Sequence, residues 1–513
     1  MSLTRLIKGS LTVLAGSLLL RLGGYVYRLL VGRMLGPAGY GIVSATMVVQ
    51  TIVMFLATVG VPPAIARYVA RYRALGQWVK VKQFILVPMV VLTMFSSLVA
   101  AILALTSPWL ACYYFHNPYL TIPLIITALG IPAAAFASCV RGAFQGFNDM
   151  KRYVNTQFVE QGTRVGGAPA LIEAGYGPTG AVFSSALLAY LVSGAYGWRV
   201  LKKRYLRAIP DAGRPLPPGM VVREVLTFGL PTAMTGIADM LQSNVDLLVI
   251  GFFLGTTAMG LYDAAGPIAR LPTTLCAAVA TALLPAASEA DALRDRATLK
   301  RYAHVAVKSL WTLLVPVAVV TGALSKPLIV GFFGVSFGEG ASALYVLPAA
   351  MAFIVMFRSC ASMLQGMGKQ NLPMLVLFTT VAVNTVLNVM LVPSFGIWGA
   401  SVATAFADWL AMIMIVRAVM ANTDLTLKLR WVMAPVIAGV PSWYVARWAC
   451  HLPLPDILIA LVGAILAFAV YAVVLVVLGG VSDVEWEVME KGAERVGFQG
   501  IVRAMRALEV VRG

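Results

Sequence analysis

Charged side chains spaced seven residues apart inside apolar stretches mark where this chain could do chemistry. Arg21 and Arg28 stand seven apart with Tyr25 between them. Seven residues is nearly two α-helical turns, so both guanidinium groups lie on one face. Two cations on one face call for an anion, and planar guanidinium groups suit a phosphate or carboxylate, which they hold through paired hydrogen bonds. Asp239 and Asp246 repeat the spacing with opposite sign, and Asp263 and Arg270 repeat it with one charge of each kind. Glu160 and Arg164 stand at i, i+4 beside Gln157 and Gln161, Asn384 and Asn388 share that spacing, and Asp408 is a lone acid.

An ionisable group at mid-membrane costs about 2.5–3.5 kcal/mol on insertion scales, so each of these is a functional candidate. Each also has a structural alternative. Arg28 could snorkel to an interface, and Glu160 with Arg164 has the favourable order for an internal helix pair. The asparagines could make interhelical hydrogen bonds of about 0.6–2 kcal/mol. Asp239 and Asp246 could form fixed salt bridges, or alternate between the first-span arginines and a substrate or proton. Asp408 is a candidate for coupling to a proton or sodium ion.

The elements that must position these groups are membrane helices. Hydrophobic residues make up 60% of the 513 and charged ones 12%, with a mean hydropathy of +0.86, far from a soluble domain. Windows of roughly 20 apolar residues, enough to cross the hydrocarbon, fall at 9–31, 39–61, 83–106, 120–142, 153–173, 178–200, 224–251, 258–284, 303–325, 341–364, 371–392, 397–419, 430–449 and 456–479. The expectation is an all-α polytopic membrane protein of about fourteen transmembrane helices. Arg21 and Arg28 interrupt the first run, which reads as a retained helix rather than a signal peptide.

The chain also repeats itself. Gly32–Ala45 (GRMLGPAGYGIVSA) and Gly251–Ala264 (GFFLGTTAMGLYDA) match at Gly32/Gly251, Leu35/Leu254, Gly36/Gly255, Gly41/Gly260 and Ala45/Ala264, a shift of 219. Gln145-Gly146 recurs as Gln365-Gly366, and Gly177 with Gly180 as Gly396 with Gly399. Three ordered anchors at one period argue for duplication. An even number of spans per copy makes the copies parallel repeats: a six-helix lobe and linker over 1–222, a second over 223–424, a helix pair over 425–480 and a cytoplasmic amphipathic tail over 481–513. The shift of 219 sets Asp239 and Asp246 opposite Leu20 and Tyr27, one position from Arg21 and Arg28.

Charge in the connections gives an orientation. The net charge of +18, from 39 Lys+Arg against 21 Asp+Glu, collects in alternate connections such as Arg67–Lys82, Lys202–Arg207 and Arg294–Arg301. The connections Ser107–Tyr119, Glu173–Gly177, Phe252–Thr257 and Pro393–Gly396 carry no Lys or Arg, with Arg33, Lys326 and Arg447 as the exceptions to the alternation. The positive-inside rule then places both termini in the cytoplasm. Basic residues that follow topology do not form a nucleic-acid patch. The five cysteines lie singly with no His nearby, so neither a disulfide framework nor a metal site is expected.

One motif carries a family resemblance. Arg33-Met34-Leu35-Gly36-Pro37-Ala38-Gly39-Tyr40-Gly41, then Gly60 and Ala64-Ile65-Ala66-Arg67-Tyr68-Val69-Ala70, resembles the opening of polysaccharide transporters of the multidrug/oligosaccharidyl-lipid/polysaccharide exporter superfamily. The likeness is greatest to the branch holding O-antigen-type flippases, the stage V sporulation protein B group and the lipid II flippases. The resemblance implies two six-helix lobes around a cavity that opens to alternate membrane faces. It implies substrates that are polyprenyl diphosphates bearing a sugar, with membrane lipids as the other partners and a monomer as a sufficient unit. Lipid II flippases carry cavity arginines on the first and eighth spans, where Arg21, Arg28 and Arg270 lie here; Asp239 and Asp246 fit no pattern of the family.

The function expected is thus alternating-access flipping of a lipid-linked anionic sugar in the cell membrane, with no cofactor beyond a coupling H+ or Na+. Arg21, Tyr25, Arg28, Arg164 and Arg270 are the substrate-binding candidates, and Asp239, Asp246, Asp263 and Asp408 the coupling or cross-lobe pairing candidates. The alternative is a cation- or proton-coupled multidrug or metabolite antiporter of the same superfamily. Catalysis is not expected: His116, His304 and His451 are isolated, and Gly366-Met367-Gly368-Lys369 lacks the earlier glycine of a P-loop.

Overall fold

Apolar runs of this length leave backbone amides no water to bond, so they must satisfy themselves as helices. The computed structural model describes residues 3–58, 60–209, 215–481 and 485–486; most of the tail over 481–513 lies outside the described residues. Among the described residues every element is helical. Nine of these stretches are long and apolar enough to cross a membrane. Four of the nine contain a glycine break, and together with Leu429–Ala449 they make up the fourteen expected segments. Met94, Leu98, Ile102 and Leu105 are exposed at helical spacing along Trp78–Trp109, an apolar stripe that needs lipid around it. The chain is a multi-pass membrane protein.

The breaks are reversals. Gly36 (φ 66°, ψ 179°) and Gly255 (φ 77°, ψ −176°) hold nearly the same conformation 219 residues apart, in a region essentially confined to glycine. Gly177 (φ 52°, ψ −138°) and Gly396 (φ 62°, ψ −146°) form a second such pair. Across Gly255 the Tyr262 hydroxyl donates to Asp246 Oδ2 at 2.8 Å, although sixteen residues of straight helix would span about 24 Å.

The duplication extends to the main-chain caps of the connections. The amides of Leu75, Gly76 and Gln77 donate to the carbonyls of Arg71, Arg73 and Tyr72, and those of Leu293, Arg294 and Asp295 to Glu289, Asp291 and Ala290. The same three-bond cap recurs from Phe147, Asn148 and Asp149 to Ala143, Gln145 and Phe144, and from Met367, Gly368 and Lys369 to Met363, Gln365 and Leu364. Each cap turns on a left-handed residue: Gly76, Arg294, Asn148 or Gly368. This is the usual way to satisfy a helix's last carbonyls.

By packing, the chain divides into Met1–Asp263 and Ala264–Gly513. In the first unit Tyr68 and Phe84 stack at 4.7 Å within a core that includes Ile65, Ile85 and Phe144. In the second, a core around Leu310, Leu314, Cys360 and Leu364 joins Ala341–Gly366 to its neighbours.

Candidate functional site

Two groups of membrane-depth charges come together in the first unit. The first is built by the reversals at Gly36 and Gly255. The Asp263 carboxylate accepts from Arg28 Nη1 at 2.5 Å, from the Tyr40 hydroxyl at 3.0 Å and from Ser44 Oγ at 2.8 Å. Arg28 lies before the Gly36 turn and Tyr40 and Ser44 lie after it, so the turn brings both sides onto one acid. Asp263, Tyr40 and Ser44 are buried. A carboxylate in that setting stays charged only because a guanidinium and two hydroxyls replace its water.

The repeat itself explains this geometry. Ser44 and Asp263 are equivalent residues 219 apart, and they touch. A β-carbon on Gly41 would lie 1.9 Å from the Thr256 carbonyl oxygen, and one on Gly260 would lie 2.3 Å from that of Pro37. Since 260 is 41 plus 219 and 256 is 37 plus 219, the contact is reciprocal. The two copies of the glycine motif pack backbone to backbone, and nothing larger than glycine fits at either place.

The second group lines a cavity of about 590 Å³ whose walls include Gln50, Arg141, Gln145, Gln157, Arg164 and Tyr190. Glu160 sits between two arginines: Arg141 Nη2 bonds its Oε2, and Arg164 Nη2 meets its Oε1 at 2.8 Å. Arg141 Nε also donates to Thr156 Oγ1 at 3.3 Å, and the Arg164 guanidinium lies 5.0 Å from the Tyr190 ring centroid. The Arg164 Nε is buried and has no hydrogen-bond partner. Two guanidinium groups against one carboxylate leave the group one positive charge in excess.

The remaining candidates differ in burial. Arg21, Asp239 and Arg270 are exposed and Tyr25 is half-buried. Arg270 is also the N-cap residue of Leu271–Ala292. Asp246 is buried beneath the Tyr262 hydroxyl. In the second unit Asp408 is buried, and Asn388 Nδ2 donates to Asn384 Oδ1 at 2.7 Å. The carboxylate that holds Arg28 is thus Asp263, 235 residues away, a pairing that helix spacing does not reveal.

Sequence reasoning passed over Arg141, because the window at 120–142 closes one residue beyond it. It also passed over Lys308, which is 1% exposed and pairs with Glu485 and, at 2.7 Å, the Gly480 carbonyl. The signal was present in both cases: a lone basic residue within an apolar run. Tyr40 and Ser44 gave no such signal, since hydroxyls are common in apolar helices.

Family models match the chain over residues 6–291, as polysaccharide biosynthesis protein, and over 200–490, as lipid II flippase MurJ, each more than half its length. The chain belongs to the polysaccharide biosynthesis protein family. This membership agrees with the transporter branch that the glycine motif resembles. An uncharacterised membrane protein of Methanocaldococcus jannaschii, MJ1375, is 27% identical, with 78% of this chain and 94% of that protein covered. Lipid II flippase MurJ of Bacillus subtilis is 24% identical, covering 78% of this chain and 80% of its own length. A solved structure of lipid II flippase MurJ, in an inward closed conformation, aligns with a TM-score of 0.70 at 13% identity. It covers 90% of this chain and 98% of that one, a likeness of fold.

Proposed function

We propose that this family member is a flippase that moves a polyprenyl-diphosphate-linked sugar across the cytoplasmic membrane by alternating access, and that it is a transporter without catalytic chemistry. The observation that carries the reading is the cation-rich cavity of the first unit, together with the similarity to proteins named as lipid II flippases. A diphosphate offers several anionic oxygens to guanidinium forks, and its prenyl tail stays in lipid while only the head group crosses. Arg21, Arg28, Arg164 and Arg270, with Tyr25, are the proposed head-group contacts. Asp239, Asp246, Asp263 and Asp408 are the proposed pairing or coupling acids, the coupled ion being H+ or Na+. Both termini are assigned to the cytoplasm from the distribution of Lys and Arg. A cavity with net positive charge disfavours organic cations, which the antiporter alternative requires.

The test is head-group translocation of a fluorescent lipid-diphosphate sugar in proteoliposomes, with a neutral lipid-linked sugar alongside. The charged lipid should be moved by the unaltered chain, and much less by an Arg21→Ala, Arg270→Ala double variant present at equal abundance. Equal handling of the neutral lipid, or undiminished transport by the variant, would remove the assignment.

A further inference from the structure

Glu160 is held by more cation than one carboxylate needs. It is buried, it meets Arg141 with one oxygen and Arg164 with the other, and those two arginines line a cavity large enough for a sugar head group. Arg164 keeps a buried Nε without a partner, so its donor capacity is not filled by Glu160. The positions 220 residues later in the duplicated copy are Ala361, Thr380 and Asn384, all buried and neutral. A scaffold that folds in its second copy without these charges does not need them to fold in its first.

We infer that Glu160 is a built-in substitute anion: it occupies the Arg141–Arg164 clamp when the cavity is empty and is displaced when the diphosphate of the substrate enters. The inference rests on the flippase reading for its ligand and adds the place and the manner of binding. Two cations brought together without an anion repel each other at low dielectric, and an unpaired buried charge is costly. A resident carboxylate keeps the empty clamp stable. A diphosphate can replace it because it brings more negative charge and fits both guanidinium planes, and could take up the free Arg164 Nε–H. Gln50, Gln145 and Gln157, with Tyr153 and Tyr190 in the same wall, provide amide and aromatic groups suited to a sugar beyond the phosphates. The clamp's affinity is lowered by Glu160, which permits release on the far side of the membrane.

The experiment measures binding to the purified full-length protein in neutral-lipid nanodiscs, using a short-chain prenyl diphosphate, inorganic pyrophosphate and phosphatidylglycerol as separate probes. Removing a competing charge at hydrogen-bond distance should matter by at least about tenfold. Glu160→Gln, which keeps the shape and one accepting oxygen but removes the charge, should therefore bind the prenyl diphosphate at least that much more tightly. Arg164→Ala should bind it at least about tenfold more weakly, and Arg164→Lys should recover part of the loss. Pyrophosphate should follow the same order with lower affinity. If Glu160→Gln leaves diphosphate affinity unchanged or weaker while the protein stays monodisperse, Glu160 is a structural ion pair and the inference fails. If phosphatidylglycerol competes as well as the prenyl diphosphate, the clamp holds a lipid head group and the assignment also fails. Tightened diphosphate binding without translocation of a lipid-linked sugar would uphold the clamp and overturn the flippase reading instead.

Discussion

The first and second copies of the repeat share backbone breaks, helix caps and glycine contacts, yet differ at several charged and polar positions around the first copy's cavity. Arg141, Glu160 and Arg164 become Ala361, Thr380 and Asn384, and Gln157 becomes Leu377. Where the first copy has an Arg–Glu–Arg group on a cavity of about 590 Å³, the second has Asn384 and Asn388 bonded to each other. A smaller cavity of about 170 Å³, between the second copy and the helix that follows it, has Trp311, Met356, Met412 and Trp431 in its walls together with Lys308 and Arg417. The second copy thus packs with neutral residues where the first has charges, which points to use of the charges rather than to a need of the scaffold. The conserved geometry, by contrast, lies in glycines and main-chain caps, which determine where chains can turn and touch.

The largest expected effect comes from writing the second copy into the first. The triple variant Arg141→Ala, Glu160→Thr, Arg164→Asn should lose nearly all head-group translocation while its thermal unfolding in detergent stays close to that of the unaltered protein. A collapse in stability would show that the charges are structural and break the comparison.

A different outcome is expected for the other charged group. Asp263→Asn should destabilise the first unit by about 3–5 kcal/mol, because it leaves the Arg28 guanidinium part-buried without its counter-charge. The reversed pair, Arg28→Asp with Asp263→Arg, should recover part of that loss in denaturant or thermal unfolding. Equal stability of Asp263→Asn and the unaltered chain would place Asp263 with the dispensable charges of the cavity.

Gly41 and Gly260 sharpen the shared part of the comparison. A methyl group at Gly260 would stand 2.3 Å from the Pro37 carbonyl oxygen, a backbone atom that cannot rotate away. Gly260→Ala should cost about 1–3 kcal/mol of stability, and Gly41→Ala a similar amount, since the contact is reciprocal. Single variants with no loss in melting temperature would remove the backbone-to-backbone contact.

The smallest effect separates two equivalent caps. Burial alone would raise the Asp149 carboxyl, but hydrogen bonds from Tyr205, Arg152 and the Arg152 amide outweigh it and hold the group below its ordinary value of 3.8. Its partner in the repeat, Lys369, bonds Asn422 and carries no acid. A lowered carboxylate adds stability above the unfolded-state pKa, and that contribution disappears as pH falls through the folded-state value. Amide protection, exchange corrected for its intrinsic pH dependence, should therefore fall at the 147–152 turn as the pH falls below about 4, while protection at the 367–370 turn remains unchanged. Tyr205→Phe should move the first transition to higher pH, and identical acid profiles at both turns would refute the distinction.

Local chemistry made the helices, their number and the duplication legible in the sequence. Apolar run length is fixed by membrane thickness, and the glycine anchors reflect backbone demands that no other residue meets. The same logic marked Arg28, Glu160, Arg164 and Asp263, because charge is costly in an apolar span wherever the span sits. Which charges meet was not legible. Arg28 reaches Asp263 across 235 positions only because the chain reverses at Gly36 and Gly255 and the two motifs pack together. Arg141 joins Glu160 only because their helices pack side by side, and Lys308 finds Glu485 across 177 positions. Sequence determines where a charge must be satisfied; tertiary structure decides the partner, because the strength of a pairing depends on distance and burial rather than on separation along the chain.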